Sequence, residues 1–206
     1  MREIFGRKLG MTQIFTETGN LVAVTLVEVG PCKVLEEKKY LTKEAVVIGF
    51  EEVLKENKKN KPLAGHFKRL GQPYFRYVKE TTRLTPEPFD KNVNIGVDIF
   101  SEDEKIDLTT VSIGRGFQGG MKRHNWSGQP KSHGSTTHRR IGSAGASAYP
   151  SKIVKGHPMP GHMGNAKVTV RNLKVLKVDK EKGLLYILGS CPGPKNSLVV
   201  IRKKKI

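Results

Sequence analysis

The sequence predicts a mainly β (α+β) protein: a closed β-barrel interrupted by a small helical insertion and by one long irregular extension. Three observations predict it. Short segments rich in Val, Ile and Leu recur between turn signals at both ends of the 206-residue chain. Residues 112–165 lose aliphatic periodicity and hold ten or more glycines and four prolines. No acidic residue lies between Asp107 and Asp179, in a chain whose 37 Lys and Arg outweigh 19 Asp and Glu to give a net charge of +18.

Taken in order, Glu3–Phe15 and Leu21–Val29 read as a strand pair around Thr18-Gly19-Asn20, and Gly30-Pro31 ends the second strand. Glu36-Glu37-Lys38-Lys39 predicts a polar, hairpin-like turn before the short apolar strand Ala45–Phe50. Glu51–Lys61 is highly charged and fits either a short helix or an exposed linker. Pro62–Gly71 carries the punctuation of a helix, with Pro at its start, Lys68 and Arg69 in the last turn and Gly beyond it. Gly65 inside this stretch weakens the pattern. Phe75–Leu84, Val93–Phe100 and Lys105–Val111 follow as strands, the last two separated by the acidic turn Ser101–Glu104. Residues 112–165 match neither a packed helix nor a sheet. Order then returns in Lys167–Val178, whose Val and Leu fall largely on one face and Lys and Arg on the other, the pattern of a half-buried strand. Gly183–Gly189 pairs with it across Asp179–Lys182, and Leu198–Arg202 is the last strand. The expected organisation is therefore a barrel body, residues 1–111 and 166–206, closed by its two ends. It carries an insertion at about 51–75 and an extension at 112–165.

Charge is segregated along this plan. Residues 1–107 hold 18 Lys and Arg against 17 Asp and Glu, residues 108–178 hold 12 and none, and residues 179–206 hold 7 against 2. A basic block without carboxylates repels itself unless a polyanion is near. Nucleic acid supplies that anion and releases its counterions on binding. A membrane surface would instead favour a basic amphipathic helix, and residues 108–165 show no such pattern. Leu21–Val29 is far too short to span a bilayer, and Met1–Phe5 lacks the apolar stretch of a signal peptide. A soluble, cytosolic protein is expected, and its two cysteines, Cys32 and Cys191, read as buried free thiols rather than a disulfide framework.

The extension has the residue types that folded RNA requires. Its glycines admit close approach to phosphate. Arg115, Lys122, Arg123, Lys131, Arg139, Arg140, Lys152 and Lys155 pair with phosphates, and Arg also stacks on bases. Phe117, Trp126, His124, His133, His138, His157 and His162 offer flat faces to unstacked bases, and Gln118 adds hydrogen bonds. Arg7 and Lys8 near the start, and Lys167 and Arg171 after the extension, complete the candidate RNA-binding set, with Lys174 and Lys177 continuing it. The plainer reading is a Gly/Ser-rich linker, but linkers seldom set Phe117, Trp126, Met159 and Met163 among prolines. With so little apolar surface the segment is expected to order only on RNA. Five histidines invite a metal site, yet the region has no carboxylate, no Cys-x-x-Cys and no His-x-x-x-His to complete one. Catalysis lacks a carboxylate partner, Ser135 and Ser143 lack a nucleophile elbow, and no phosphate-binding or dinucleotide fingerprint is complete. No metal, cofactor or small-molecule substrate is therefore expected. An RNA-modifying enzyme would need a cofactor pocket and a placed acid or nucleophile. A DNA-architectural protein would need apolar wedges and a dimer signature. Neither is legible.

The ordered pieces Gly6–Phe15, Gly30-Pro31-Cys32, Gly65-His66-Phe67, Gly116-Phe117-Gln118-Gly119, Lys122-Arg123-His124, Ser132–Ser135, His138-Arg139, Gly161–Gly164, Val168–Leu173 and Pro192–Lys195 resemble the bacterial form of the universal large-subunit ribosomal protein L-three family. The likeness spans nearly the whole chain. It implies a six-stranded barrel of the translation-protein kind and a non-enzymatic, structural role in the large ribosomal subunit. It also implies an extension threading towards the peptidyl transferase centre. The implied partners are 23S-type large-subunit rRNA, bound early in assembly, and neighbouring large-subunit proteins. Some relatives carry a methylated glutamine near the loop tip. Gly145–Pro150 contains no glutamine, so that modification is not expected here.

Overall fold

The computed structural model describes residues 2–41, 44–55, 60–82 and 94–204. The chain divides into two compact units: Met1–Val111 with Lys167–Ile206, and Ser112–Ala166. The first unit begins with strands β1 (Glu3–Phe15), β2 (Leu21–Val29), β3 (Cys32–Lys39) and β4 (Glu44–Glu52), then helix α1 (Lys61–Leu70), then β5 (Phe75–Thr82), β6 (Asn94–Ile95) and β7 (Lys105–Val111). The second unit holds β8 (Gly116–Gln118), α2 (Gly120–His124) and β9 (Gly161–Met163). The first unit resumes with β10 (Lys167–Asp179), β11 (Leu184–Leu188) and β12 (Leu198–Lys203). The fold class is mainly β.

Six antiparallel strands of the first unit form a ring in the order β1-β12-β7-β10-β11-β2, and β2 returns to β1. The two ends of the chain meet here, with Glu3 opposite Arg202 and Arg7 opposite Leu198. Alternation places Ile4, Val27, Ile106, Leu108, Val175, Leu185, Ile187, Val199 and Ile201 inside, all fully buried. Each such side chain stabilises the fold by about 1.5–3 kcal/mol, far more than an exposed ion pair on the outer face contributes. The inward set therefore fixes the register.

A second sheet, β5-β4-β3-β6, shares that core. Val46, Ile48 and Phe50 of β4 face the ring, and the Phe5, Phe50 and Tyr77 rings cluster with centroids 5.8–6.4 Å apart. On the opposite face Val47 packs with Leu35, Phe75 and Phe67 of α1. Both faces of β4 are covered, which explains why its sequence is a continuous apolar run rather than an alternating one. Gly49 makes room for Phe75: a Cβ there would sit 2.6 Å from the ring. Arg2 N donates to Thr82 O (3.1 Å) and Glu3 N to Thr81 Oγ1 (3.0 Å), tying β1 to β5.

Several expectations are corrected. Glu36–Lys39 is not a turn but the end of β3, paired Glu36↔Val47 through Lys39↔Glu44. Its charges ride on a strand whose backbone is satisfied by β4. Glu51 and Glu52 close β4 and so belong to neither a helix nor a linker; residues 56–59 lie outside the described residues. Val93–Phe100 is not a full strand: β6 is two residues long, and Val97–Ile99 is a turn of 3₁₀ helix after Gly96. Val93 lies outside the described residues, as do Arg83 and Leu84 of the expected Phe75–Leu84 strand. The insertion expected at 51–75 is larger, a four-stranded sheet with one helix drawn from β3 through β6. Within β10 the pairing with β7 skips Arg171 and Asn172, and the pairing with β11 skips Leu176. Asn172 takes φ 60° and its N–H donates to Asp107 Oδ1 at 2.9 Å. These bulges reverse the inward face twice, and that is why the strand's sequence alternates imperfectly.

Candidate nucleic-acid interface

The second unit is closed at its base by backbone pairing. Ser112 N donates to Ala166 O at 2.9 Å, Arg115 N donates to Met163 O at 2.9 Å, and β8 and β9 pair Gly116↔Met163, Phe117↔His162 and Gln118↔Gly161. Gly164 (φ 75°) is required at this closure, because a Cβ there would lie 2.1 Å from Ile113 O. The expectation of no regular structure is corrected to this extent: two three-residue strands and one short helix frame the segment.

Above the base, α2 is anchored by an aromatic seat. Trp126 rests on Gly120, whose missing Cβ would come within 2.0 Å of the indole. Asn125 ends the helix in the left-handed conformation, and His124 stacks on Trp126 with centroids 6.1 Å apart and planes at 24°. Arg123 Nη1 (2.7 Å) and His124 Nε2 (3.0 Å) both lie against Met159 O. The carbonyl can only accept, so the His124 contact places a proton on Nε2. These two bonds join α2 to the Met159–Gly161 segment, 35 and 36 residues away in sequence.

The stretch Gln129–His138 folds back on itself: Gln129 N donates to His138 O at 3.0 Å. His133 (φ 57°) and Gly134 (φ 78°) occupy the tip, with Ser135 N donating to Ser132 O at 3.4 Å. Two successive positive φ values are those of a type I′ turn. The sequence Ser-His-Gly-Ser thus serves to hold Lys131 and His133 outward. Trp126, Gln129, Arg140 and His157 help line a concavity of 440 Å³ in this unit. Cationic and aromatic groups therefore share one hollow.

Of the twenty residues read from the sequence, Arg115, Phe117, Lys122, Arg123, His124, Lys131, His133, His138, Arg139, Arg140, Lys152, Lys155, His157 and His162 are exposed in the second unit, and Gln118 and Trp126 are half-buried. Lys167 and Arg171 are exposed on β10. Arg7 and Lys8 behave differently. Arg7 pairs with Glu51 and donates to Asn196 O at 2.7 Å. Lys8 Nζ donates to Cys191 O (2.6 Å) and Gly193 O (2.9 Å). Both charges are spent inside the first unit, as is much of Lys174, 2.8 Å from Asp103. The candidate set leaves out four exposed apolar side chains of the second unit, Tyr149 (90% exposed), Val154 (67%), Ile113 (57%) and Ile153 (48%). Large apolar side chains left open in so polar a loop are the signal that would have found them.

The thiols are not part of a reactive site. Burial pushes Cys32 up to about 12 and Cys191 up to about 11, so neither offers a thiolate near neutral pH. Among the described residues no three His, Cys, Asp or Glu side chains gather as a metal site, and no helix is long and apolar enough to cross a membrane.

Fold and surface together define a class: a β-rich protein with a separate cationic unit free of carboxylates. The ribosomal protein L3 family matches residues 38–184. The large ribosomal subunit protein uL3 of Carboxydothermus hydrogenoformans is 46% identical over 202 residues, covering 97% of this chain and 96% of that protein. The proteins of the same name from Thermotoga petrophila and Thermotoga maritima are 46% identical over 208 residues, covering 100% of this chain and 98% of theirs. The chain belongs to the ribosomal protein L3 family.

Proposed function

We propose that this protein is a structural constituent of the large ribosomal subunit of the cytoplasmic ribosome. It contributes no catalytic group. It binds large-subunit rRNA directly, joins assembly early and extends its second unit towards the peptidyl transferase centre, with other large-subunit proteins as neighbours. Its strand ring is a closed barrel of the translation-protein kind. The observation that carries the reading is Ser112–Ala166: eight Lys and Arg, five His and no carboxylate, with almost every cationic side chain exposed. Such a unit cannot neutralise itself, and RNA phosphates are the polyanion that its glycines, flat rings and guanidinium groups suit. The names of the relatives support the same assignment.

Within this reading the cations divide. Arg115, Lys122, Lys131, Arg139, Arg140, Lys152 and Lys155 neutralise phosphates, while Phe117, Trp126 and the histidines stack on splayed bases. Arg123 and His124 set the shape of the unit through Met159 O and stay exposed. Lys167 and Arg171 continue the contact on β10. Arg7 and Lys8 support the first unit instead. The test is removal of Gly119–Met159 with a short Gly-Ser bridge. The strand-rich unit is expected to fold with its circular dichroism intact and to lose most of its affinity for a large-subunit rRNA transcript. Equal affinity in both forms would refute the assignment of the interface.

A further inference from the structure

The near-neutral total of residues 1–107 conceals a second basic stretch. Between Glu56 and Glu80 there is no carboxylate, while Lys58, Lys59, Lys61, Lys68, Arg69, Arg76 and Lys79 are all present. Arg76 lies 3.8 Å from Glu51, and Lys79 lies 2.6 Å from Glu3. Lys58 and Lys59 lie outside the described residues; Lys61, Lys68 and Arg69 are all on α1 and all exposed, and among the described residues no carboxylate reaches ion-pair distance of any of them.

Helix geometry brings these three together. Phe67 is buried against Leu35, Val47 and Phe75 and fixes the inward side. At about 100° per residue, Gly65 and Arg69 point away from it, with Lys61 and Lys68 beside them. Gly65 is one turn from both Lys61 and Arg69. It is also the residue that the interior does not explain. Among the described residues nothing lies within 4 Å of where its Cβ would be, and its φ is not positive. Glycine inside a helix is destabilising relative to alanine, and no packing against the described residues requires it here. A bare backbone on an exposed face is of use to an external chain that must come close.

We infer that the outward face of α1, formed by Lys61, Lys68 and Arg69 around the open backbone at Gly65, is a second RNA-backbone contact on the strand-rich unit. The inference rests on the reading of the protein as RNA-binding, and it assigns a site apart from the carboxylate-free extension. RNA is favoured over a protein partner by what the face lacks. Its three cations flank Gly65, with Pro62 and the His66 ring beside Arg69; the exposed Leu63 lies about 160° from Gly65 round the helix, and a protein interface with lysines at its centre and little to bury would be weak.

The test uses the full chain, a large-subunit rRNA transcript and two variants. Gly65→Ala is expected to raise Tm by about 2–4 °C, as a better helix former in open space should, and yet to weaken RNA binding several-fold. Lys68→Gln with Arg69→Gln is expected to lower the slope of log affinity against log salt by about 2. A Gly65→Ala protein that gains stability and binds RNA unchanged, together with an unaltered salt slope in the double variant, would overturn the site. Unchanged affinity for the naked transcript with poorer incorporation into ribosomal particles would also overturn it, by assigning the face to a protein. Wild-type protein without affinity for the transcript would instead bring down the functional reading itself.

Discussion

Replacing Gly120 with alanine probes the aromatic seat of the second unit. The added methyl would stand 2.0 Å from Cε3 and Cζ3 of Trp126 and 2.3 Å from Cδ2. Carbon atoms need about 3.5 Å, so the indole must retreat by about 1.5 Å or α2 must shift. Overpacking of this kind costs about 1–3 kcal/mol. The loss falls on a helix of five residues that cannot persist by propensity alone. Moving the indole also breaks its stack on His124. Trp126 is the only tryptophan, so its fluorescence reports this seat and nothing else. Gly120→Ala is expected to shift the emission to longer wavelength and to make it easier to quench with acrylamide, while the thermal transition of the strand-rich unit stays in place. Gly119→Ala is the matched control: no atom of the described residues lies within 4 Å of its would-be Cβ, and the emission should not move. Emission in Gly120→Ala identical to that of the control would refute the packing of Trp126 on Gly120.

Lys8→Met removes the donor shared by the carbonyls of Cys191 and Gly193 and should cost about 2 kcal/mol in urea unfolding. Because this ammonium is spent internally, the salt dependence of RNA binding should not change; a reduced slope at unaltered stability would show that Lys8 faces RNA. Burial holds the Cys32 and Cys191 thiols protonated to about 12 and about 11, against 9.0 in the absence of burial. The unfolded chain therefore gives up these protons first. Their contribution to stability is complete below pH 9 and falls as the pH rises towards 11–12, by about 1 kcal/mol per thiol at pH 10. Urea unfolding of wild type and Cys191→Ala at pH 8 and pH 10 checks this, and the variant should lose less stability over that interval.

Much of the strand plan was legible because its signals are local. The Val and Leu runs of β2, β7, β11 and β12 lie between Gly, Pro and Asp turns, and the Pro62 and Gly71 punctuation of α1 marks its ends within a residue. What was not legible depends on partners distant in sequence. Glu36–Lys39 looks like a turn by composition and is a strand because β4 satisfies its backbone. Val93–Phe100 looks like a strand, yet Gly96 breaks it after a two-residue bridge to β3. The sheet of β3 to β6 was hidden because its members read individually as parts of the ring. At the interface, the absence of carboxylates was plain from the sequence. The division of labour among the cations was not. Arg7 and Lys8 stand in a motif beside the candidate residues, and only their approach to Glu51, Asn196, Cys191 and Gly193 reveals them as internal supports. The converse holds for α1, where Lys61, Lys68 and Arg69 are balanced in the segment total by acids that lie elsewhere.

The central claim, that a carboxylate-free unit framed by β8 and β9 lies along large-subunit rRNA, is met most directly by ultraviolet crosslinking of the native protein in ribosomal particles, with both crosslinked peptides and nucleotides mapped. The account predicts that protein crosslinks concentrate between Ser112 and Ala166, at the exposed rings of Phe117 and Tyr149 and at Trp126, and that their RNA ends cluster in large-subunit rRNA. Crosslinks absent from this unit, or scattered over messenger RNA and DNA, would contradict it.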